Sequence, residues 1–335
     1  MRIGVDAMGG DHAPAELVGG ALMARDLLGA GDQIVLVGRA EAIQPYLAGV
    51  PDWRKFVTIE DCPDSIGMDE APVEAMRAKP DSSLARLAHM HKLGQVDAMI
   101  SAGNTGAAVA ACQMHLRRLA GVHRPGIAVI MPSFHGPVTI CDVGANVNCR
   151  PQHLLQYGVM ATLYAERVAG VKTPRVGLLS IGSEDAKGNA LVKKTRDLLK
   201  DHSGVRFIGN VEGRDLFRDV CDVVVCEGFV GNVCLKLMEG LTEGLFKSLK
   251  REVQAADPKV AAQALQLFKP ILARYDYNEY GGAPLLGVNG ICIICHGASN
   301  ARAIRSAIRA AREFSTQGVN ELITAQLSRD SGNGE

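Results

Sequence analysis

What most constrains this chain is a pattern that returns along its length: a short apolar run, a loop of Gly, Asn or Ser, then an amphipathic helix. The first instance is Ile3-Gly4-Val5-Asp6, a loop through Pro14 and a helix to about Leu28. Others start from Ala98-Met99-Ile100-Ser101 (helix to Leu119), Val176-Gly177-Leu178-Leu179-Ser180 (helix to Lys200), Val223-Val224-Val225-Cys226 (helix to Gln254) and Ile291-Cys292-Ile293-Ile294-Cys295 (helix to Phe314). Ile34–Gly38 and Phe56–Glu60 read as further strands, with a helix from Ala40 to Leu47 between them. Such alternation predicts a three-layer α/β/α fold on a largely parallel sheet. Ile127–Met131 and Val138–Asp142 are separated by so short a turn that they predict an antiparallel pair, so the sheet is mixed.

At 335 residues the chain holds about two domains' worth of sequence. We expect residues 1–327 to form one intertwined α/β domain of two related subdomains, and residues 328–335 a flexible tail. Lys+Arg and Asp+Glu are 36 each, and this zero balance opposes a nucleic-acid-coating protein. Aromatic residues at 4% suit a stacking platform for single strands poorly. The nine cysteines are odd in number and scattered, as buried thiols in a reducing compartment would be. Cys292 and Cys295, three apart on a strand, point to opposite faces, and no metal site is expected. The uncharged stretch from Ala98 to Leu116 is broken by Ser101, Gly103–Gly106 and Gln113, which lipid would leave unsatisfied. The opening strand shows no leader, and a cytoplasmic protein with no cofactor is the expectation.

A strand that ends in Gly-Asn at a helix start offers backbone N–H groups and the positive end of a helix dipole. Loops of this kind carry Gly9 and Gly10, then Asn104, Thr105 and Gly106, then Gly188 and Asn189, then Gly231, and last Ser299. Meeting around one cleft, they would suit phosphate or an oxyanion; singly, they serve as turns and caps. Lys187 sits among glycines in such a loop, either as a mobile charge for phosphate or as a solvated lysine. Lys236 is a second candidate cation. His296 closes an apolar strand, where it is a general acid, a hydrogen-bond donor or a packing residue; His12 belongs with it. The dinucleotide, P-loop, zincin and nucleophile-elbow motifs are absent. Arg302, Arg305, Arg309 and Arg312 recur along one helix face, fit for an acidic partner, anionic lipid or plain solvent. Val260, Ala264, Leu267, Phe268 and Ile271 share another face, as core, dimer contact or membrane-touching edge.

Val5-Asp6-Ala7-Met8-Gly9-Gly10-Asp11, Ser101-Ala102-Gly103-Asn104-Thr105-Gly106-Ala107 and Asp142-Val143-Gly144-Ala145-Asn146 resemble signatures of the bacterial acyl carrier protein:phosphate acyltransferase (PlsX) family. So do Gly209–Gly213, Gly228-Phe229-Val230-Gly231-Asn232-Val233 and Tyr280–Gly287, in order along the chain. The match departs at Glu227, where the family pattern has Asp before the glycine. The resemblance implies transfer of a fatty acyl group from acyl carrier protein to inorganic phosphate, and a fold shared with phosphotransacetylases and isocitrate/isopropylmalate dehydrogenases. It implies a homodimer, a downstream glycerol-3-phosphate acyltransferase and peripheral contact with the inner membrane. It adds Asp6 and Asn146 to the phosphate loops and makes Lys187, His296 and Asn232 the candidates for catalysis. Lys193, Lys194 and Arg196, with Arg302, Arg305 and Arg309, become a candidate surface for the acidic carrier. The alternatives are a phosphotransacetylase-like enzyme using acyl-CoA, a dehydrogenase, and a scaffold that binds carrier and membrane without turnover.

Overall fold

The computed structural model describes residues 1–255, 258–275 and 282–332. Its strands are β1 (Arg2–Asp6), β2 (Gln33–Gly38), β3 (Val57–Asp61), β4 (Ala98–Ser101), β5 (Gly126–Pro132), β6 (Pro137–Cys141), β7 (Arg175–Leu179), β8 (Arg206–Val211), β9 (Val223–Val225), β10 (Ala283–Leu286) and β11 (Cys292–Ile294). The helices are α1 (Ala15–Met23), α2 (Ala40–Leu47), α3 (Pro72–Ala78), α4 (Ser83–Lys92), α5 (Thr105–His115), α6 (Pro151–Arg167), α7 (Ala190–Asp201), α8 (Gly228–Ala255), α9 (Pro258–Arg274), α10 (Ala301–Thr316) and α11 (Val319–Gly332).

All the strands join one sheet in the order β3-β2-β1-β4-β11-β10-β5-β6-β9-β7-β8. Parallel pairing runs from β3 to β11 and again from β6 to β8. Three antiparallel steps in the middle, β11-β10, β10-β5 and β5-β6, turn one parallel block against the other. The fold is therefore α/β with a mixed, largely parallel sheet, and the expected β5–β6 pair is present. Helices cover both faces. In the first block α1 and α10 pack on one face, while α4 and α5 pack on the other. In the second block α6 and α11 cover one face and the start of α8 the other. The strand geometry is visible in the cysteines: Cys292 joins one core cluster and Cys295 the cluster on the opposite face.

Helix α10 shows why its sequence folds as it does. Ile304, Ala307, Ile308, Ala311 and Phe314 fall at three- and four-residue steps and are buried. The arginine stripe lies on the flank. Arg305 donates to the Met23 carbonyl and pairs with Asp26 at 2.7 Å, Arg312 pairs with Asp32, and Arg309 faces Glu313 at 4.0 Å. The stripe thus holds α10 to the turn after α1, because two aspartates lie opposite it.

Three expected boundaries shift. The first helix ends at Met23 and continues as a 3₁₀ turn to Leu27, and α5 stops at His115, short of Leu119. The expected tail does not begin at residue 328: α11 runs on to Gly332, and Asp330 sits 3.1 Å from His202. Residues 333–335, Asp257 and the motif residues Tyr280 and Gly281 lie outside the described residues, as does the side chain of Val260. No helix of the described residues is long and apolar enough to cross a membrane.

Candidate functional site

Two buried aspartates organise the strand ends. Asp6 closes β1 and accepts from the hydroxyls of Ser83 (2.6 Å) and Ser101 (2.8 Å) and from the Met8 N–H. Gly9 packs so close that a Cβ there would lie 2.5 Å from the Asp6 carboxylate and 2.8 Å from the Gly103 nitrogen. Asp142, following β6, accepts from the backbone N–H groups of Ile127, Gly144, Ala145 and Asn146 at 2.7–3.1 Å. Here Gly228 and Gly231 close in, and a Cβ on Gly231 would stand 1.9 Å from the Asp142 carbonyl oxygen. Burial pushes both carboxyls above the usual range, against the pull of these hydrogen bonds. The segments that follow β4 and β9 therefore play related parts: Gly103 packs beside Asp6 and Gly9, and Gly228 and Gly231 pack against Asp142.

This construction changes the reading of several loop residues. Asn104 caps α5 by accepting from Ala107, while its NH₂ donates to the carbonyls of Gly67, Met68 and Glu70. Asn146 donates to the Pro125 carbonyl and the Tyr157 hydroxyl. Both amides are held inside the molecule and are withdrawn from phosphate. Gly106 is small because Pro72 packs on it, where a Cβ would meet the ring at 2.6 Å. Gly9 and Gly10 serve the approach of the Gly103 and Gly297 backbones, and Ser299 is buried beneath His296, to whose carbonyl its N–H donates.

Residues 228–232 are not a loop but the first turn of α8. Its leading N–H groups are already matched: Gly228 donates to the Asn146 carbonyl, Phe229 and Val230 to the Glu227 carboxylate, and Gly231 to the Glu227 carbonyl. No anion cradle is left at that helix start. Glu227 itself is a carboxylate cap on the positive end of the helix dipole.

The groups that stay available gather elsewhere. Asn232 is half-buried against Gly144 and makes no side-chain hydrogen bond among the described residues. Lys236 lies one turn further on the same helix face. Lys187 is exposed in the loop after β7, a strand directly beside β9. Its stem folds over Gly182, and that loop is braced by the Asn210 amide on the Glu184 carbonyl at 3.0 Å. Asn189 caps α7 by accepting from Val192, leaving the N–H groups of Ala190 and Leu191 without a partner among the described residues. Gly188 adopts φ +93°, and beneath it the buried Ser180 hydroxyl has no hydrogen-bond partner. Cation, amide and free N–H groups thus share the ends of β7 and β9.

His296, Thr105 and the other first-block candidates stand at the ends of β4 and β11, in the opposing block. The His296 Nδ1 accepts from the Ala298 N–H at 3.1 Å, so the neutral ring carries its proton on Nε2. Glu239, on the α8 face that carries Asn232 and Lys236, is in electrostatic reach of His296. Burial holds that carboxyl above its ordinary range, with His296 and Lys236 pulling it down. Sequence reasoning missed Glu239 and Asp142; their signal was spacing, seven residues after Asn232 and the end of a strand.

Comparison with known proteins fixes the family. The model of a family described as "Fatty acid synthesis protein" matches residues 1–322. A phosphate acyltransferase from Desulforamulus reducens is 46% identical over 333 residues, 99% of each chain. One from Pelotomaculum thermopropionicum is 48% identical over 332 residues, 98% of this chain and 95% of that one. This chain belongs to the phosphate acyltransferase (PlsX) family. In shape it resembles a phosphotransacetylase from Streptococcus pyogenes, with TM-score 0.62 and 16% identity over 94% of each chain. Membership makes it an acyltransferase of lipid synthesis acting with phosphate.

Several of the acyltransferase's cysteines are held as thiols by burial. Burial pushes Cys149 up to about 11 and Cys221 and Cys295 up to about 12, far from thiolate at neutral pH. The groups left available at the ends of β7 and β9 are a cation, an amide and backbone N–H donors.

Proposed function

We propose that this acyltransferase moves a fatty acyl group from the thioester of acyl carrier protein to inorganic phosphate. The observation that carries the reading is the group at the ends of β7 and β9: Lys187, Asn232 and the N–H groups of Ala190 and Leu191, all without partners among the described residues. A phosphate oxygen attacks the thioester carbon, the C–S bond breaks, and the proton of HPO₄²⁻ ends on the departing sulfur. The products are acyl phosphate and free carrier thiol. Lys187 and the α7 start hold the phosphate, and Asn232 donates to the oxygen that becomes negative. His296 Nε2–H donates to the departing sulfur, and the proton of HPO₄²⁻ replaces the one the ring gives up.

The carrier is acidic, and Lys193 and Lys194 present exposed ammonium groups beside the Lys187 loop. Arg196 is taken up by Asp197 and the Asp185 carbonyl, and Arg305 by Asp26, so α7 supports docking better than α10. A reactive mixed anhydride calls for prompt use, which fits a glycerol-3-phosphate acyltransferase downstream. A homodimer with peripheral membrane contact belongs to the same reading.

The test is incubation with palmitoyl carrier protein or palmitoyl-CoA, with and without phosphate, scoring free thiol and acyl phosphate. Phosphate-dependent release from the carrier with acyl phosphate formed is expected. Release from CoA alone would make the donor a CoA thioester, and carrier retained without release would make the protein a scaffold.

A further inference from the structure

Around the start of α6 the chain gathers His123, Arg124, Arg150 and His153, none of them used above. Strand β5 runs antiparallel to β6, so the approach to β5 lies at the sheet end where the Asp142–Asn146 loop leaves β6. Arg124 donates to the Asn146 side-chain oxygen at 3.4 Å, and the two imidazole rings stand 6.3 Å apart. His153 is the most deeply seated of the four, 9% exposed, and its Nδ1 accepts from the Arg150 N–H at 3.1 Å. The neutral ring therefore carries its proton on Nε2, which makes no hydrogen bond among the described residues. The positive charge here is unbalanced. Among the described residues neither Arg124 nor Arg150 has an ion pair, whereas Arg175, Arg196, Arg305 and Arg312 each face an aspartate. Burial, and then the charges of Arg124, His123 and Arg150, hold His153 below its ordinary pKa. Asn146 stands between Arg124 and the Asp142 carboxylate, its Oδ1 toward one and its Nδ2 toward the other, at 3.4 Å each.

We propose that Arg124, Arg150 and the His153 Nε2–H form a second anion site, one that takes the phosphate at the far end of the donor's thioester arm. The three groups are donors only, and guanidinium forks match paired phosphate oxygens. A donor as buried as His153 is reached by a small group and not by a broad acidic face. The corner also adjoins the reaction centre. The loop that meets Arg124 at Asn146 meets Asn232 at Gly144, and α8 begins by donating from Gly228 to the Asn146 carbonyl at 2.8 Å. In the strand order β5-β6-β9-β7 the corner lies on the side of Asn232 away from Lys187. Carrier protein and CoA both hold the acyl group on a pantetheine arm that ends in phosphate, so a carbonyl at Asn232 brings that phosphate across the Asp142–Asn146 loop. Choosing the arm rests on the acyl-transfer reading above; the anion site does not, and inorganic phosphate is the other source of the same chemistry.

Calorimetric titration with 4′-phosphopantetheine, pantetheine and inorganic phosphate tests this in the native chain, Arg124→Gln and Arg150→Gln. Both arginines are exposed, and Arg150→Gln stays informative if Arg124→Gln loosens the Asn146 loop. The native chain is expected to bind phosphopantetheine at least about tenfold tighter than pantetheine, and each variant to lose about tenfold for phosphopantetheine alone. In turnover the KM for palmitoyl-phosphopantetheine rises by a similar factor, while the phosphate KM stays within about twofold. Equal native affinity for the two arms, or native affinity for phosphopantetheine in both variants, would overturn the proposal. Weakened inorganic phosphate with phosphopantetheine unchanged would overturn the arm as occupant and give the site to inorganic phosphate. If the native chain binds phosphopantetheine through both arginines but shows no phosphate-dependent release with any donor, the acyl-transfer reading fails and the anion site stands.

Discussion

At the scale of single residues, glycine and aspartate act as pairs. The Gly-rich motifs look like phosphate loops, yet Gly9, Gly228 and Gly231 are small because a buried carboxylate or its backbone occupies the space a Cβ would need. Gly231→Ala is therefore expected to cost about 3 kcal/mol, because the Asp142 backbone cannot yield as a flexible side chain would. Gly213→Ala, with open space around its Cβ, should stay within about 0.5 kcal/mol. Urea unfolding midpoints of the two variants decide this, and equal midpoints would contradict it.

At the scale of elements, the strongly periodic segments were legible and the packed ones were not. The strands ending in Asp6, Ser101 and Val225 and helices α7 and α10 follow directly from apolar runs and 3.6-residue spacing. The helices α4, α6 and α11 were passed over: α6 is buried through Leu154, Tyr157, Gly158, Val159 and Ala161, so little of it shows a polar face. Loop chemistry was legible in kind but not in use. Asn104 carries the donors expected of an anion site, and only the fold shows them turned onto residues 67–70. The arginine stripe was read correctly as one face, while Asp26 and Asp32 across from it lie some 280 residues away in sequence. A half-buried histidine clips α4 to the start of β11. His91 Nδ1 pairs with the Val96 carbonyl at 3.1 Å, and its Nε2 accepts from the Ile291 N–H at 2.9 Å. Burial depresses its pKa, so the folded state prefers the neutral ring. Its contribution is complete above the unfolded value of about 6.5 and is lost as pH falls through that value toward the lower folded one. Between about pH 7 and pH 5, unfolding free energy should fall more steeply in the native chain than in His91→Gln. Parallel slopes would show that the ring carries no such linkage.

At the scale of the whole molecule, the opposed parallel blocks decide where chemistry can occur. Candidates that looked like one ring in the sequence divide between the ends of β1, β4 and β11 and the ends of β6, β7 and β9. Helix α8 spans the division, with Asn232 against the Asp142 loop and Glu239 in reach of His296. The most direct test of the account is the steady-state phosphate dependence of Lys187→Ala and Asn232→Ala with a long-chain acyl donor. Both side chains lack hydrogen-bond partners among the described residues, so melting temperatures should stay within about 2 °C of the native chain. The expected result is a phosphate KM raised at least tenfold for Lys187→Ala and kcat lowered about 100-fold for Asn232→Ala, with donor KM little changed. Native kinetics in both variants would contradict the account and move the reaction away from the ends of β7 and β9.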